Sequence, residues 1–299
     1  MSLHSSTIRV PASTSNLGSG FDTLGMALGL YNDVTVSLQD EVTGKQGFEN
    51  RNFFETVGKA FFDFVGKPAQ AFSVEISGRV PRSRGLGSSV TVRAGIFAAL
   101  NEILATGLDR ETLAREITML EGHPDNAVAS VFGGLTIAKI SAESWELEDY
   151  LQYPVPENLS FAILSPDFEV KTNDSRDVLP ASLPFKEVVE SLNSLSFFLG
   201  AFLSGKPEKL SAVSLTENIH QPYRLTAIPG GKETLVAAKN AGAFGAWLSG
   251  SGSSLIAMVS DSHKEEVKTA MEGVFSKRGI QAQSFLVKAD NEGLRSLNG

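Results

Sequence analysis

Apolar residues recur along this chain with two periods. Val34, Val36 and Leu38 alternate with polar neighbours, as on a strand buried on one face, and Phe72-Ser73-Val74-Glu75-Ile76 repeats the pattern. Phe53, Phe54, Val57, Phe61, Phe62 and Val65 fall at helical spacing, as do Val92, Ile96, Ala99, Leu100 and Ile103 in a run that begins at Ser88. The same reading predicts helices over 113–120, 185–203, 210–218, 232–241 and 264–275. It predicts strands over 7–10, 159–164, 255–259 and 282–287, with Pro11 ending the first and a loop following over 12–20. Residues 21–30 fit neither period. Helices and strands interleave in both halves, so an α+β or α/β chain is expected. Residues 141–157 turn polar, acidic and Pro-bearing. A boundary placed there gives domains 1–155 and 156–299.

The 299 residues are 42% hydrophobic, enough for a substantial core. There is no cysteine, which removes disulfides, thiol catalysis and thiolate metal sites together. The net charge of -8 argues against a nucleic-acid partner, which needs a basic surface. It does not argue against small anions, because backbone N–H groups bind those. Apolar stretches are interrupted well short of the about 20 residues needed to cross a bilayer, and residues 1–9 carry no apolar leader core. A soluble protein in the cytoplasm, with no membrane partner, is expected.

The strongest chemical feature is Pro81-Arg82-Ser83-Arg84-Gly85-Leu86-Gly87-Ser88-Ser89, directly before a helical run. A glycine turn whose N–H groups converge, backed by a helix N-terminus, makes an anion cradle. An ordinary loop with a serine cap is the plain alternative. The segment lacks the Gly-Lys-Ser/Thr of a Walker loop and the glycine spacing of a dinucleotide fingerprint. The second feature is Glu121-Gly122-His123-Pro124-Asp125-Asn126. Glu121 and Asp125 are hard oxygen ligands suited to magnesium, and Asp125 could instead orient or deprotonate a hydroxyl. A helix C-cap at Gly122 and a new N-cap at Asp125 is the plain reading. His123 lacks the partners of a zinc site but could contact a substrate. Asn16 and Asp22 in and beyond the first loop could hold hydroxyl or ammonium groups. Ser249-Gly250-Ser251-Gly252 could close over phosphates or be a hairpin turn. Arg176 and Arg224 could each clamp a carboxylate.

Taken in order, these segments resemble the GHMP kinase superfamily, and within it the homoserine kinase family, over nearly the whole chain. Val10 to Asp22 looks like the first superfamily motif and Pro81 to Ser89 like the phosphate loop. Glu121 to Asn126, followed by Phe132-Gly133-Gly134, is similar to the middle segment. Tyr223-Arg224, Ile228-Pro229-Gly230 and the stretch from Gly245 to Gly252 are similar to the C-terminal signatures. The resemblance implies an N-terminal domain like the second domain of ribosomal protein S5 and a ferredoxin-like C-terminal domain, with ATP in the cleft between them. It implies nucleotide contacts at Pro81, Arg84, Gly85, Leu86, Gly87, Ser88, Ser89, Ser249, Gly250, Ser251 and Gly252, and magnesium on Ser89 and Glu121. Asn16, Asp22, His123, Asp125, Arg176 and Arg224 would surround an amino-alcohol acceptor, with Asp125 and Asn16 at the transferred group. L-Homoserine is the acceptor so implied. A homodimer is expected by analogy. Two alternatives stand beside this reading: a superfamily kinase for another alcohol or sugar, and a non-catalytic nucleotide-binding protein. The sequence departs from the motif at Ser19, usually Pro, at Ser253-Ser254, often Pro-Thr, and at Val90-Thr91-Val92-Arg93, usually small alanines. It also lacks the first-motif lysine of mevalonate kinase-like members.

Overall fold

Two long strands, β1 (Ser5–Asn16) and β2 (Gly20–Leu38), form an antiparallel hairpin at the centre of the first sheet. The strand expected to stop at Pro11 runs on to Asn16. The register shifts between Pro11 and Ala12, so the proline, which has no N–H to donate, sits at an irregularity of the ladder instead of ending it. The ambiguous stretch 21–30 is the first half of β2. It pairs on both edges and is buried almost throughout, which erases the alternation that marks a strand. The computed structural model describes residues 4–39, 51–170, 172–212 and 216–298.

Helix α1 (Arg51–Val65) precedes β3 (Phe72–Gly78), which pairs with the second half of β2. Then come α2 (Ser88–Ile103), α3 (Arg110–Glu121) and α4 (Asp125–Phe132). Strand β4 (Leu135–Ile140) pairs with Leu24–Met26 of β2, and β5 (Leu147–Tyr153) pairs with β4. The polar segment 141–157 therefore contains an edge strand. Most of its side chains face water, so its composition reads as a linker. The helices cover one face of this sheet. Ile8, Val10, Val34 and Val36 pack there against Phe61, Ile96, Phe97 and Leu100. Gly95 lets α2 press on β2, since a Cβ there would lie 2.5 Å from that of Val34.

The second sheet begins with β6 (Leu159–Pro166). Short helix α5 (Thr172–Asp177), long helix α6 (Phe185–Leu203), one-turn α7 (Gln221–Arg224) and α8 (Gly231–Asn240) follow. The chain then forms β7 (Gly245–Leu248), β8 (Leu255–Ser260), α9 (Lys264–Ser276) and β9 (Ala282–Val287). The order is β7-β8-β6-β9, antiparallel throughout. Arg176 lies in the last turn of α5. The helix expected over 210–218 is not found: residues 207–212 form a 3₁₀ segment and 216–218 are irregular, while 213–215, like Lys171, lie outside the described residues.

Alternation along these strands joins two cores. Phe161, Ile163, Trp247, Ile256 and Met258 face Leu24, Met26 and Leu28 of β2 together with Phe198 of α6. Ala162, Leu164, Ala246, Leu248, Leu255, Ala257 and Val259 face α8 and α9. Buried on both faces, β6 and β8 read as continuous apolar runs. The last strand, β10 (Arg295–Ser296), returns to pair with β1, so the second sheet is inserted between two parts of the chain that share the first. Among the described residues no helix is long and apolar enough to cross a membrane.

Candidate active site

The two sheets meet along a cleft of about 550 Å³. One wall is the turn over 82–87 leading into α2. Gly85 and Gly87 adopt φ of 73° and 66°, and Gly87 caps the helix in the left-handed conformation. The cap is a glycine, not the serine of the plain alternative, which exposes the first N–H groups of α2 without a side chain covering them. The turn is clamped from both sides. Ser13 N–H donates to the Leu86 carbonyl at 3.2 Å and Ser254 N–H to the Arg84 carbonyl at 3.0 Å. Ser249 Oγ donates to the Gly85 carbonyl at 2.6 Å.

Of the residues singled out for nucleotide contacts, Gly85, Gly87, Ser88, Ser89, Gly250 and Ser251 line the cleft. Leu86 and Ser249 are fully buried behind it, and Pro81 and Gly252 do not line it. Ser249 holds the two loops together through Thr14 and Gly85, a packing duty and not a surface for a ligand. Arg84 lines the cleft, but its guanidinium spans to the second domain. Nε donates to the Pro166 carbonyl at 2.9 Å, and the group pairs with Asp167 and Glu169.

The cleft also carries a group of charged side chains. Asp125 is the first residue of α4, behind Pro124, not its cap. Three donors converge on its Oδ1: Asn126 N–H at 2.7 Å, Asn126 Nδ2 at 3.5 Å and His123 Nδ1 at 3.1 Å. Burial opposes charging His123, but the Asp125 bond and the charges of Asp125, Glu121 and Asp22 outweigh it and raise its pKa. Asn16 takes φ 71° at the end of β1. Its Oδ1 accepts Asp22 N–H at 3.1 Å and its Nδ2 donates to the Gly250 carbonyl at 3.3 Å, which leaves a second lone pair and a second N–H on this cleft-lining amide. Arg176 Nη2 bonds both Asp22 oxygens at 2.9 Å. Burial, then the charge of Asp125, nevertheless raises the Asp22 pKa. Arg224 is buried, with Nε on the Ser175 carbonyl at 3.0 Å and Nη1 on the Gly250 carbonyl at 3.2 Å; burial lowers its pKa to about 10. Ser89 Oγ donates to Glu121 Oε2 at 3.2 Å, beside the glycine turn. The chain thus gathers a glycine turn at a helix N-terminus, two hard oxygen groups and a pocket of mixed charge into one cleft.

Family models for the GHMP kinases N terminal domain and the GHMP kinases C terminal match residues 52–134 and 202–277. The homoserine kinase of Carboxydothermus hydrogenoformans is 36% identical, with 96% of this chain and 95% of the relative covered. That of Aquifex aeolicus is 33% identical, covering 96% and 98%. This chain belongs to the homoserine kinase family. The crystal structure of homoserine kinase from Cytophaga hutchinsonii superposes with a TM-score of 0.87 at 24% identity, over 99% of this chain and 98% of that one. The GHMP kinase fold implied by the motifs is the fold observed, with the curled first sheet and the ferredoxin-like second domain.

Several residues of this kinase site escape a reading of the sequence. Phe21 lies under both arginines, 5.6 Å from Arg176 and 5.1 Å from Arg224, and stacks on His220 at 5.2 Å. His220 sits directly before the Gln221-Pro222-Tyr223-Arg224 motif, the one signal that could have marked it. Its Nε2 bonds the Gly18 carbonyl, its Nδ1 has no partner among the described residues, and burial followed by the charge of Arg224 lowers its pKa to about 3. Glu217 caps this segment by accepting the N–H groups of Ile219, His220 and Gln221. Phe53, Phe54, Ile76 and Val80 add apolar lining to the cleft that no motif marks.

The His220 shift fixes a pH response. The unfolded chain protonates this histidine near pH 6.5 and the folded chain only near 3. Between those values the unfolded state binds more protons, so stability rises with pH and is lost on acidification, by up to about 1.4 kcal/mol per pH unit from this residue. Urea titrations across this window should show that slope, and a His220→Gln variant should show a shallower one. Equal slopes would mean that His220 does not control acid sensitivity.

Proposed function

We propose that the protein transfers the γ-phosphoryl group of ATP to the side-chain hydroxyl of L-homoserine, giving O-phospho-L-homoserine and ADP. The observation that carries this reading is the Asp22–Arg176 pair, which lies beside buried Arg224 in the same cleft as the glycine turn. A zwitterion can exchange that internal pair for two external ones. Its ammonium takes Asp22 and its carboxylate takes Arg176 and Arg224, with no charge left unpaired. An acceptor with a carboxylate alone would strip Arg176 from Asp22 and leave that acid buried without a cation. A neutral sugar would disrupt the pair and replace neither charge.

The residues then act as follows. The Gly85–Gly87 amides, Ser88 and the N-terminus of α2 hold the phosphates and oppose the charge that develops on transfer. The apolar lining from Phe53, Phe54, Ile76 and Val80 suits the base. The donor set beside the turn fits magnesium: one carboxylate oxygen and one hydroxyl, 3.2 Å apart, with the remaining positions left to phosphate and water. Among the described residues no cluster of three acidic or histidine side chains offers an all-protein cage, which also matches how that ion is usually held. Bound by Ser89 and Glu121, magnesium would neutralise negative charge on the β- and γ-phosphate oxygens. Asp125 Oδ1 is occupied by Asn126 and His123, so Oδ2 is the oxygen offered to the acceptor hydroxyl, to orient it and take its proton as the new P–O bond forms. Asn16 lines the cleft between Asp22 and Gly250, positions both, and keeps a free amide hydrogen for the acceptor. A reaction of this kind belongs in the cytoplasm, in amino-acid biosynthesis on the way to threonine.

The test is ADP release with ATP, magnesium and a panel of L-homoserine, D-homoserine, L-serine, L-threonine, mevalonate and galactose. Turnover concentrated on L-homoserine is expected. Turnover confined to mevalonate or galactose would refute the two-charge reading, and nucleotide binding without turnover on any acceptor would favour a binding protein.

A further inference from the structure

Arg93 lies one helical turn beyond Ser89 on α2, and its Nη1 is paired with Oε1 of Glu121. The other oxygen of that carboxylate, Oε2, accepts from Ser89 Oγ at 3.2 Å. The two oxygens of one acid are thus divided between a fixed cation and the group that faces the phosphate turn. The pair is shielded: the Arg93 side chain is 20% exposed and that of Glu121 is 7% exposed. The guanidinium also lies 5.0 Å over the ring of Phe53, which lines the cleft. A cation so placed cannot swing into water without leaving both a buried carboxylate and an aromatic face.

We infer that Arg93 is a built-in brake on divalent-cation binding at Glu121. It occupies one oxygen and offsets the charge of the acid, so the cation is retained only while phosphate oxygens complete its shell. This rests on the assignment of Ser89 and Glu121 as metal ligands. The chemical consequence is ordered loading: the nucleotide-free protein leaves divalent ions in solution, and the ion enters and departs with its nucleotide. Two effects of removing Arg93 oppose each other. The carboxylate loses an anchor, which costs a rotamer's worth of order. It also regains its full charge a few ångströms from the ion, in a poorly screened site, and that effect is the larger.

The experiment measures equilibrium binding of Mn²⁺ to the nucleotide-free protein, read as loss of the free-ion signal in electron paramagnetic resonance. Arg93→Met should tighten Mn²⁺ binding about tenfold or more. Arg93→Lys, which keeps the charge, should stay close to the wild type. If Arg93→Met does not fold, Arg93→Gln removes the charge but keeps a hydrogen-bond donor, and the same tightening is expected. In a Glu121→Gln background, Arg93→Met should change nothing. Unchanged or weaker Mn²⁺ binding in the folded, uncharged Arg93 variants overturns the brake. So does a loss of metal-free ATP affinity without any change for Mn²⁺, which would make Arg93 a phosphate contact. A separate result exposes the underlying assignment: if Glu121→Gln alone leaves Mn²⁺ binding unaltered with ATP present, Glu121 is not a ligand and the brake falls with it.

Discussion

Asp125→Asn is expected to lower kcat by about 10²–10⁴-fold while leaving ATP affinity within a factor of about two. The substitution preserves shape. The asparagine oxygen can still accept from Asn126 N–H and from His123, as Asp125 Oδ1 does now. That arrangement turns an NH₂ group toward the acceptor, where Oδ2 stood. An amide donor cannot take the hydroxyl proton, and it presents its hydrogens to an oxygen that must use a lone pair on phosphorus. The phosphate turn is clamped by Ser13, Ser249 and Ser254, not by Asp125, so ATP binding has no reason to change. The electrostatics supply a second readout. The charge of Asp125 is the next largest cause, after burial, of the raised Asp22 pKa, so removing it should let Asp22 ionise at lower pH. The acidic limb of homoserine binding should shift to lower pH in the variant. The same loss should lower the His123 pKa, which the Asp125 hydrogen bond and charge help to hold up. These shifts, followed by NMR titration of His123 and by pH-dependent KM, separate a lost charge from a damaged fold. A kcat within about threefold of the wild type would remove Asp125 from the centre of the reaction.

What was legible in the sequence follows from which interactions are local. The turn from Gly85 to Gly87 and the helix after it announce themselves, because positive φ and a helix start each demand particular residues in place. The helices α1, α2, α6 and α9 carry clear helical periods and lie close to where the pattern puts them. The periodicity fails where burial is two-sided or absent. The first half of β2 is enclosed on both faces, and β5 is an edge strand with little to bury. The individual site residues were recognisable by type, but their partnerships were not. Nothing in the sequence couples Asp22 to Arg176, which lie 154 residues apart. The same holds for Arg93 with Glu121, or for Phe21 beneath two arginines and against His220. Those contacts depend on the docking of the second sheet against the first hairpin, and a motif records only its own side of such a junction. Asn16 is a further case: its amide joins Asp22 to Gly250 across that junction, a partnership its own motif does not record.

Gly85→Ala tests how strictly the anion cradle depends on its backbone. A Cβ at this position would lie 2.1 Å from the Ser249 carbonyl oxygen and 2.9 Å from both the nitrogen and the carbonyl oxygen of Gly252. All three are main-chain atoms of the loop that also carries Gly250 and Ser251, so no side chain can rotate aside. The residue sits at φ 73°, which adds the left-handed penalty of about 1–2 kcal/mol for a residue with a Cβ. To accept the methyl group the 249–252 loop must withdraw. It would break the Ser249 bond to the Gly85 carbonyl and move Gly250, the acceptor for both Asn16 and Arg224. One methyl group therefore disturbs both the phosphate turn and the acceptor pocket. A displacement near 1 Å at reacting groups costs about 10²-fold, so kcat/KM for ATP should fall by at least about that factor. Gly66→Ala supplies the matched control. It has a similar φ, 64°, but a Cβ there meets nothing within 4 Å. It should show the same backbone penalty in thermal unfolding with unchanged kinetics. If both variants lose stability equally and Gly85→Ala keeps its kcat/KM for ATP, the loop contact is merely structural, and the amides of this turn do not need their present spacing to hold the phosphates.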